Sequence, residues 1–242
     1  DIIARKSPAC RNLGFAYVAK HLPEVQYVIT LDDDLVPYGD TIGDHVTALQ
    51  QSVPVSWMSS TISGPHMRGF PYMVRQEAPV WVSHGVWHNI PDLDAPTQLV
   101  LGDSPRVEFY KGPVPKDIYF PVCGMNLAFR REALPFMYWC PAVRLPGAQR
   151  FDDIWMGIHL CRELSAARAA LVSGYAACVH TRLSNTFKNL EQEARGIRLN
   201  ETYWAGIRSA DLSAEENTFF AHYDECRQRW ATFINTLTTE LT

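Results

Sequence analysis

Apolar positions along the chain fall into a few distinct rhythms. Behind Ser7-Pro8, Ala9, Leu13, Ala16 and Tyr17 recur at helical spacing until Pro23 closes the segment. A Ser N-cap with Pro at the first helical position opens a helix well. Tyr27–Leu31 (YVITL) is instead short, continuous and β-branched, which predicts a strand buried on both faces, as in a parallel sheet. Leu171–His180 holds a second such run, and Val55–Ser60 reads as a further strand. Residues 40–52 and 152–164 read as helices, and residues 117–130 as two strand-like runs around Cys123-Gly124. Residues 61–105, rich in Gly, Pro, Trp and His, predict short strands at most; so long an irregular stretch usually carries function.

The clearest helix is C-terminal. Ser213 and Glu216 form a capping box, and Phe219, Phe220, Tyr223, Cys226, Trp230, Phe233, Ile234 and Leu237 follow every three or four residues. That stripe is expected to serve core packing or a subunit contact. Alternation of helices with buried strands predicts an α/β fold, whose ligands bind at the carboxyl ends of the strands. The expected division is a catalytic domain over residues 1–210 and a C-terminal amphipathic helix over 211–242.

Composition narrows the partners. The 242 residues allow one large domain, or one with an appendage. The 22 basic and 26 acidic residues leave a net charge of −4, so no basic excess exists for nucleic acid or anionic membrane. No apolar run reaches the roughly 18 residues of a transmembrane helix. Six Cys are scattered with no CxxC pair, which argues for reduced thiols in a cytosolic-type compartment over a disulfide framework or zinc ribbon. The chain opens on Asp1, without Met or signal peptide, and is expected to be a fragment of a longer protein.

Candidate chemistry begins at Asp32-Asp33-Asp34, directly after the first predicted strand. Three adjacent carboxylates repel one another unless a cation compensates them. In an extended strand Asp32 and Asp34 would share a face, the arrangement of a D-x-D site for Mn²⁺ or Mg²⁺ against a diphosphate. A solvated acidic turn is the alternative. Arg11-Asn12, with Gly14, lies on the helix before this strand, where nucleotide-sugar enzymes commonly carry an R-N-x-G helix facing the nucleotide.

Several longer segments are distinctive. They are residues 82–98 (VSHGVWHNIPDLDAPTQ), 123–129 (CGMNLAF), 150–155 (RFDDIW), 67–71 (MRGFP), and Ser184-Asn185 through Gly196-Ile197. In their order along the chain they resemble the reversibly glycosylated polypeptides, the UDP-arabinopyranose mutases of plants, classed among glycosyltransferases. The resemblance runs from about residue 6 to about 200. It implies a metal-dependent, Rossmann-like GT-A fold. It also implies interconversion of UDP-arabinopyranose and UDP-arabinofuranose by an enzyme reversibly glycosylated on an Arg. Arg68 matches that Arg, Arg75 matches a second Arg linked to activity, and the family's aspartate triplet falls on Asp32, Asp33 and Asp34. Family members usually carry several dozen further residues before the segment matching Ser7, including the first strand and helix of the sheet, so the fold is expected to lack these. His88 and Thr186 stand where plant members more often have Leu and Pro, which points to a distant member.

Within that frame the remaining candidates keep two readings each. Of Asp152 and Asp153, one is expected to cap the helix they open and the other to reach the sugar or Arg68; Glu77 is a weaker choice. His180, at the end of an apolar run, is either a further metal ligand or a buried, hydrogen-bonded His. His84 and His88 flank Trp87; these three and Asn126 are candidates to line the sugar pocket, whereas Trp155 is more simply core. Cys123 has no His placed beside it and is not read as a nucleophile. Expected partners are a UDP-sugar and other family members in a homo- or hetero-oligomer, in the cytoplasm and peripheral to Golgi membranes. A glycosyltransferase with an external acceptor and a non-catalytic partner subunit are the competing functions.

Overall fold

The structure is a computed structural model that describes residues 7–57, 68–69, 71–102, 105–204 and 212–239. After a short 3₁₀ turn at Pro8–Cys10, the elements run α1 (Arg11–His21), β1 (Tyr27–Leu31), β2 (Leu35–Tyr38), α2 (Thr41–Leu49), β3 (Ser52–Val53), β4 (Ala78–His88), α3 (Ala95–Leu101), β5 (Gly112–Pro113), β6 (Asn126–Arg130), α4 (Asp152–Ala167), β7 (Ala170–His180), α5 (Thr186–Tyr203) and α6 (Ala214–Thr239). The sheet order is β1-β6-β4-β7-β2, with β3 added to β4 and β5 to β7. Among the described residues only β4 and β7 run parallel, and every other pairing is antiparallel.

The parallel pair at the centre revises two expectations. β1 is not buried on both faces between parallel neighbours: it pairs with β6 alone among the described residues, antiparallel, and only Thr30 is buried. A strand with one neighbour is covered less than a central one. The stretch 61–105, expected to hold short strands at most, contains β4, the eleven-residue central strand, and α3. Its Ser83-His84-Gly85 interrupts an apolar run and reads as loop, yet both polar side chains find partners inside the fold. Of the strand expected at 55–60, residues 55–57 lie beyond β3 and 58–60 fall outside the described residues. Residues 117–123 form no strand, leaving β6 alone after Cys123-Gly124.

Alternation along the strands separates two packed layers. Leu127 and Phe129 of β6 face a large cluster with Phe15 of α1, Trp155 and Met156 of α4, and Phe220, Tyr223, Trp230 and Ile234 of α6. Ala128 faces the other way, with Ala48 and Leu49 of α2, Val80 and Val172. The C-terminal stripe is thus core: α6 lies in the same cluster as the sheet. Its start is fixed by the capping box, with Ser213 and Glu216 each accepting the other's backbone N–H. At the end of β6, the Arg130 guanidinium donates to the Leu49 carbonyl of α2, and Arg131 donates to the Ala19 and Leu22 carbonyls at the end of α1. A cation there satisfies carbonyls that a helix end leaves open.

Candidate functional site

The carboxyl ends of β1 and β4 and the first residues of β6 meet above the start of α4. Around them opens a cleft of about 610 Å³. Its walls come from Arg11 and Asp32; His84, Val86 and Trp87 at the end of β4; Pro91–Asp94; Phe120–Met125; Trp139; Gln149–Ile154; and Glu193 of α5. A second hollow of about 530 Å³ shares Trp87, Pro91 and Phe109 with it and adds His88 and Arg106.

The acidic triplet is not on a strand: Asp33 and Asp34 form the turn from β1 to β2, and the Leu35 N–H donates to the Asp32 carbonyl at 3.3 Å. The three carboxylates therefore separate. Asp32 enters the cleft wall and pairs with Arg11. Burial pushes its carboxyl up against the pull of Arg11. The Arg11 guanidinium also lies 4.6 Å from the centre of the Trp139 ring, a cation–π contact. Asp33 is exposed. Asp34 faces His180, its Oδ2 3.7 Å from Nε2. His180 Nδ1 is 3.2 Å from the Ile90 carbonyl. A carbonyl can only accept, so Nδ1 donates to it, and Nε2 is the ring nitrogen turned toward Asp34. A carboxylate oxygen and a neutral imidazole nitrogen suit Mn²⁺ or Mg²⁺. Among the described residues, however, no group of three or more His, Cys, Asp or Glu gathers to hold an ion. The donors present are two, and Asp32 is engaged elsewhere.

Asp152 and Asp153 divide as two distinct groups. Asp153 is taken up by backbone donors: Oδ1 accepts the Ile154 N–H at 2.8 Å and Oδ2 the Gly124 N–H at 2.9 Å. Burial, with the nearby Asp92 charge, raises it to about 6 despite those bonds. Gly124 permits this approach, because a Cβ there would lie 1.9 Å from the Trp139 ring. Asp152 accepts the Asp153 N–H on Oδ1 at 3.0 Å, while its buried Oδ2 has no partner. Burial and the neighbouring Asp153 push Asp152 well up. It is an acid of the cleft wall with a raised carboxyl and one oxygen that no described residue partners.

Other polar atoms in that wall also lack protein partners. They are the indole N–H groups of Trp87 and Trp139 and Nε2 of His84. His84 is anchored through Nδ1, 3.0 Å from Ser173 Oγ, and burial lowers its pKa to about 4, so it is neutral. Buried polar groups are normally hydrogen-bonded, so unpartnered donors and acceptors around one cleft suit a polar, hydroxyl-bearing ligand. The cations of the cleft are both already paired. Arg150 binds Glu193 at 2.6 Å and lies 4.0 Å from Asp92. Glu193 also accepts the Ala95 N–H at 2.7 Å, which ties α5 to the start of α3.

Several sequence candidates stand elsewhere. Asn12 is fully buried and exchanges both side-chain hydrogen bonds with the Trp139 backbone, at 2.9 and 3.1 Å. Asn126 likewise lies behind the wall, bonded to His45 and Val86. Arg68 is exposed on a turn and Arg75 stacks 3.8 Å over the Tyr72 ring; neither is among the described cleft residues. His88 is exposed and packs on Tyr38 and Phe109 beside the second hollow. Trp155 is core. Burial pushes the Cys123 thiol well up, in keeping with an inert cysteine. Sequence reading missed Asp92, Trp139, Glu193 and the buried His45. Asp92 sat within the quoted 82–98 segment, whereas nothing in the sequence separates Glu193 from an ordinary surface acid of an amphipathic helix.

A mixed α/β sheet with an acidic cleft over its strand ends places the protein among Rossmann-like, GT-A-type folds. The chain belongs to the reversibly glycosylated polypeptide family, whose pattern matches residues 1–233. It is similar to UDP-arabinopyranose mutase 1 of Arabidopsis thaliana, 33% identical over 238 residues, which cover 92% of this chain and 65% of that protein. It is similar also to the probable UDP-arabinopyranose mutase 1 of Pisum sativum, 33% identical over 228 residues, 88% of this chain and 61% of the other. UDP-arabinopyranose mutase 1 of Oryza sativa subsp. japonica matches at 33% over 234 residues, 89% and 62%. The chain thus spans a little under two thirds of the length of these relatives. Among the described residues no helix is long and apolar enough to cross a membrane.

Proposed function

We propose that the protein is a UDP-sugar mutase that interconverts UDP-arabinopyranose and UDP-arabinofuranose, the sugar being carried in transit on Arg68. One observation supports this most. Among the five segments by which the chain resembles its family, residues 82–98, 123–129 and 150–155 contribute to the cleft wall, and curated relatives over most of the chain are named UDP-arabinopyranose mutases.

Outward, the bond from C1 to the phosphate oxygen breaks with its electrons staying on UDP, C1 joins a guanidinium nitrogen of Arg68, and the proton which that nitrogen gives up goes to the departed diphosphate; on return a diphosphate oxygen takes C1 back and the guanidinium regains its proton. With C1 held, the ring opens and recloses. The ring oxygen O5 gains a proton on opening and O4 loses one on closing, so one acid that gives and takes back a proton suffices. Asp152, its carboxyl raised by burial and one oxygen unpartnered among the described residues, is suited to that exchange. The carboxylates of Asp92 and Asp153 balance positive charge developing on the sugar. Asp34 and His180, outside the described cleft wall, would supply two donors to Mn²⁺ or Mg²⁺, and the ion when bound would supply Lewis-acid stabilisation to a diphosphate.

A second reading, a transferase with an external acceptor, is favoured by the position of Arg68 outside the described cleft wall. One experiment separates the two. The chain is incubated with UDP-arabinopyranose and Mn²⁺, and both intact protein mass and nucleotide-sugar products are followed. Furanose product with a pentose mass increment, both lost in Arg68→Ala, is the expected result. Sugar passed to an added acceptor and undisturbed by Arg68→Ala supports the transferase, and no turnover of any kind overturns both.

A further inference from the structure

The cleft wall at Trp87 is held from behind. The backbone ladder between β4 and β6 runs Val82–Phe129, Ser83–Ala128 and His84–Leu127 and then stops. On the other side the β4–β7 register shifts between His84 and Val86. The end of β4, which carries Trp87 into the wall, thus loses its ladder to β6 at the point where its pairing with β7 is irregular. A side chain supplies what the ladder no longer does: Asn126 Nδ2 donates to the Val86 carbonyl at 3.2 Å. It can come so close because residue 85 is Gly; a Cβ there would lie 2.1 Å from Nδ2.

The rest of the chain of bonds follows by elimination. With Nδ2 donating, Asn126 has Oδ1 left to accept, and His45 Nε2 stands 2.7 Å from it. Nε2 must therefore bear the proton, so His45 is a single tautomer whose Nδ1 is a lone pair. Ser83 Oγ lies 2.9 Å from that Nδ1 and donates to it. His45, Asn126 and Ser83 are all fully buried. Burial holds His45 below the usual imidazole range, in keeping with one proton on the ring. Every polar atom of the path has one role, so it has one geometry. None of the three is among the described residues of the cleft wall.

We infer that His45 and Asn126 are positioning residues of the cleft: they clasp the end of β4 through the Val86 carbonyl and thereby set Trp87 and His84 in the wall. The kinetic readout rests on the mutase reading, and a second readout does not. Asn126→Asp keeps the acceptor toward His45 and loses the donor toward Val86. His45→Leu removes the donor that orients Asn126, whereas His45→Gln offers an N–H at the same reach. In Asn126→Asp and His45→Leu, KM for UDP-arabinopyranose rises roughly ten-fold, the size of one lost buried hydrogen bond. His45→Gln stays within about two-fold of the parent. A merely structural role would lower the folded fraction, and so kcat, with KM unchanged; that result overturns the inference. Should the parent itself fail to turn over UDP-arabinopyranose, the mutase reading fails, and hydrogen exchange decides the clasp alone. Residues 83–88 then exchange roughly ten-fold faster in His45→Leu than in His45→Gln, with β1 unchanged; equal rates in the two variants overturn the clasp.

Discussion

Two neighbouring aspartates at the start of α4 receive opposite tasks from their surroundings. Both oxygens of Asp153 meet backbone N–H groups. Asp153→Asn turns an amide N–H₂ toward one of those donors, and a urea melt is expected to show a loss of about 2 kcal/mol. Asp152 keeps one unpartnered oxygen, and burial raises its carboxyl. A group raised in the fold costs stability once pH passes the ordinary carboxylate range near 4, because the unfolded chain ionises more readily. Asp152→Asn preserves the shape and removes that cost, so at pH 7 the variant is expected to be as stable as the parent or more so. Its turnover falls at least about 100-fold, the typical contribution of a proton-transferring side chain. The sequence alone offered these two residues as one capping and one chemical group without saying which. What distinguishes their surroundings is Gly124, whose N–H reaches Asp153 from a loop 29 residues away.

The elements were legible where one local rhythm determined them. The 3.6-residue stripe and capping box gave α6, and continuous apolar runs gave β1 and β7. The central strand β4 was hidden because its polar residues are satisfied by partners 38 and 89 positions away, information no local window contains. The acidic triplet was legible as chemistry but not as geometry, since the turn at Asp33-Asp34 sends Asp32 to Arg11 and Asp34 to His180. At the start of α6, Glu216 shows how an element end can be sensitive to acid. Burial pushes its carboxyl up, but hydrogen bonds from Arg195 and the Ser213 N–H and the charge of Arg198 outweigh it and hold the group below the usual range. A lowered carboxyl stabilises the fold above the ordinary Glu range, and that contribution disappears as pH falls through the lowered value. Glu216→Gln is expected to cost about 2 kcal/mol near neutral pH. The gap from the parent should close in acid, read from urea melts at a series of pH values.

Across the whole molecule, helices distant in sequence share one core. Trp155 of α4 packs at an angle against Tyr203 and edge-on against Phe220, and Trp230 of α6 donates to the Leu134 carbonyl. Unfolding is therefore expected as a single transition, with tryptophan fluorescence and far-UV circular dichroism coinciding in urea; an early, separate loss of helix would show α6 to be an independent unit. Cutting the chain before Ser213 should leave no cooperative transition at all, since Tyr138, Leu134 and Trp155 would lose their cover. Arg130 and Arg131 add a further coupling. Arg130 ends β6 and Arg131 opens the 3₁₀ turn that follows, one gripping the last turn of α2 and the other the last turn of α1. Two helices are thus pinned by a single dipeptide, and their ends should fray in concert, like two flaps hung on a common hinge pin.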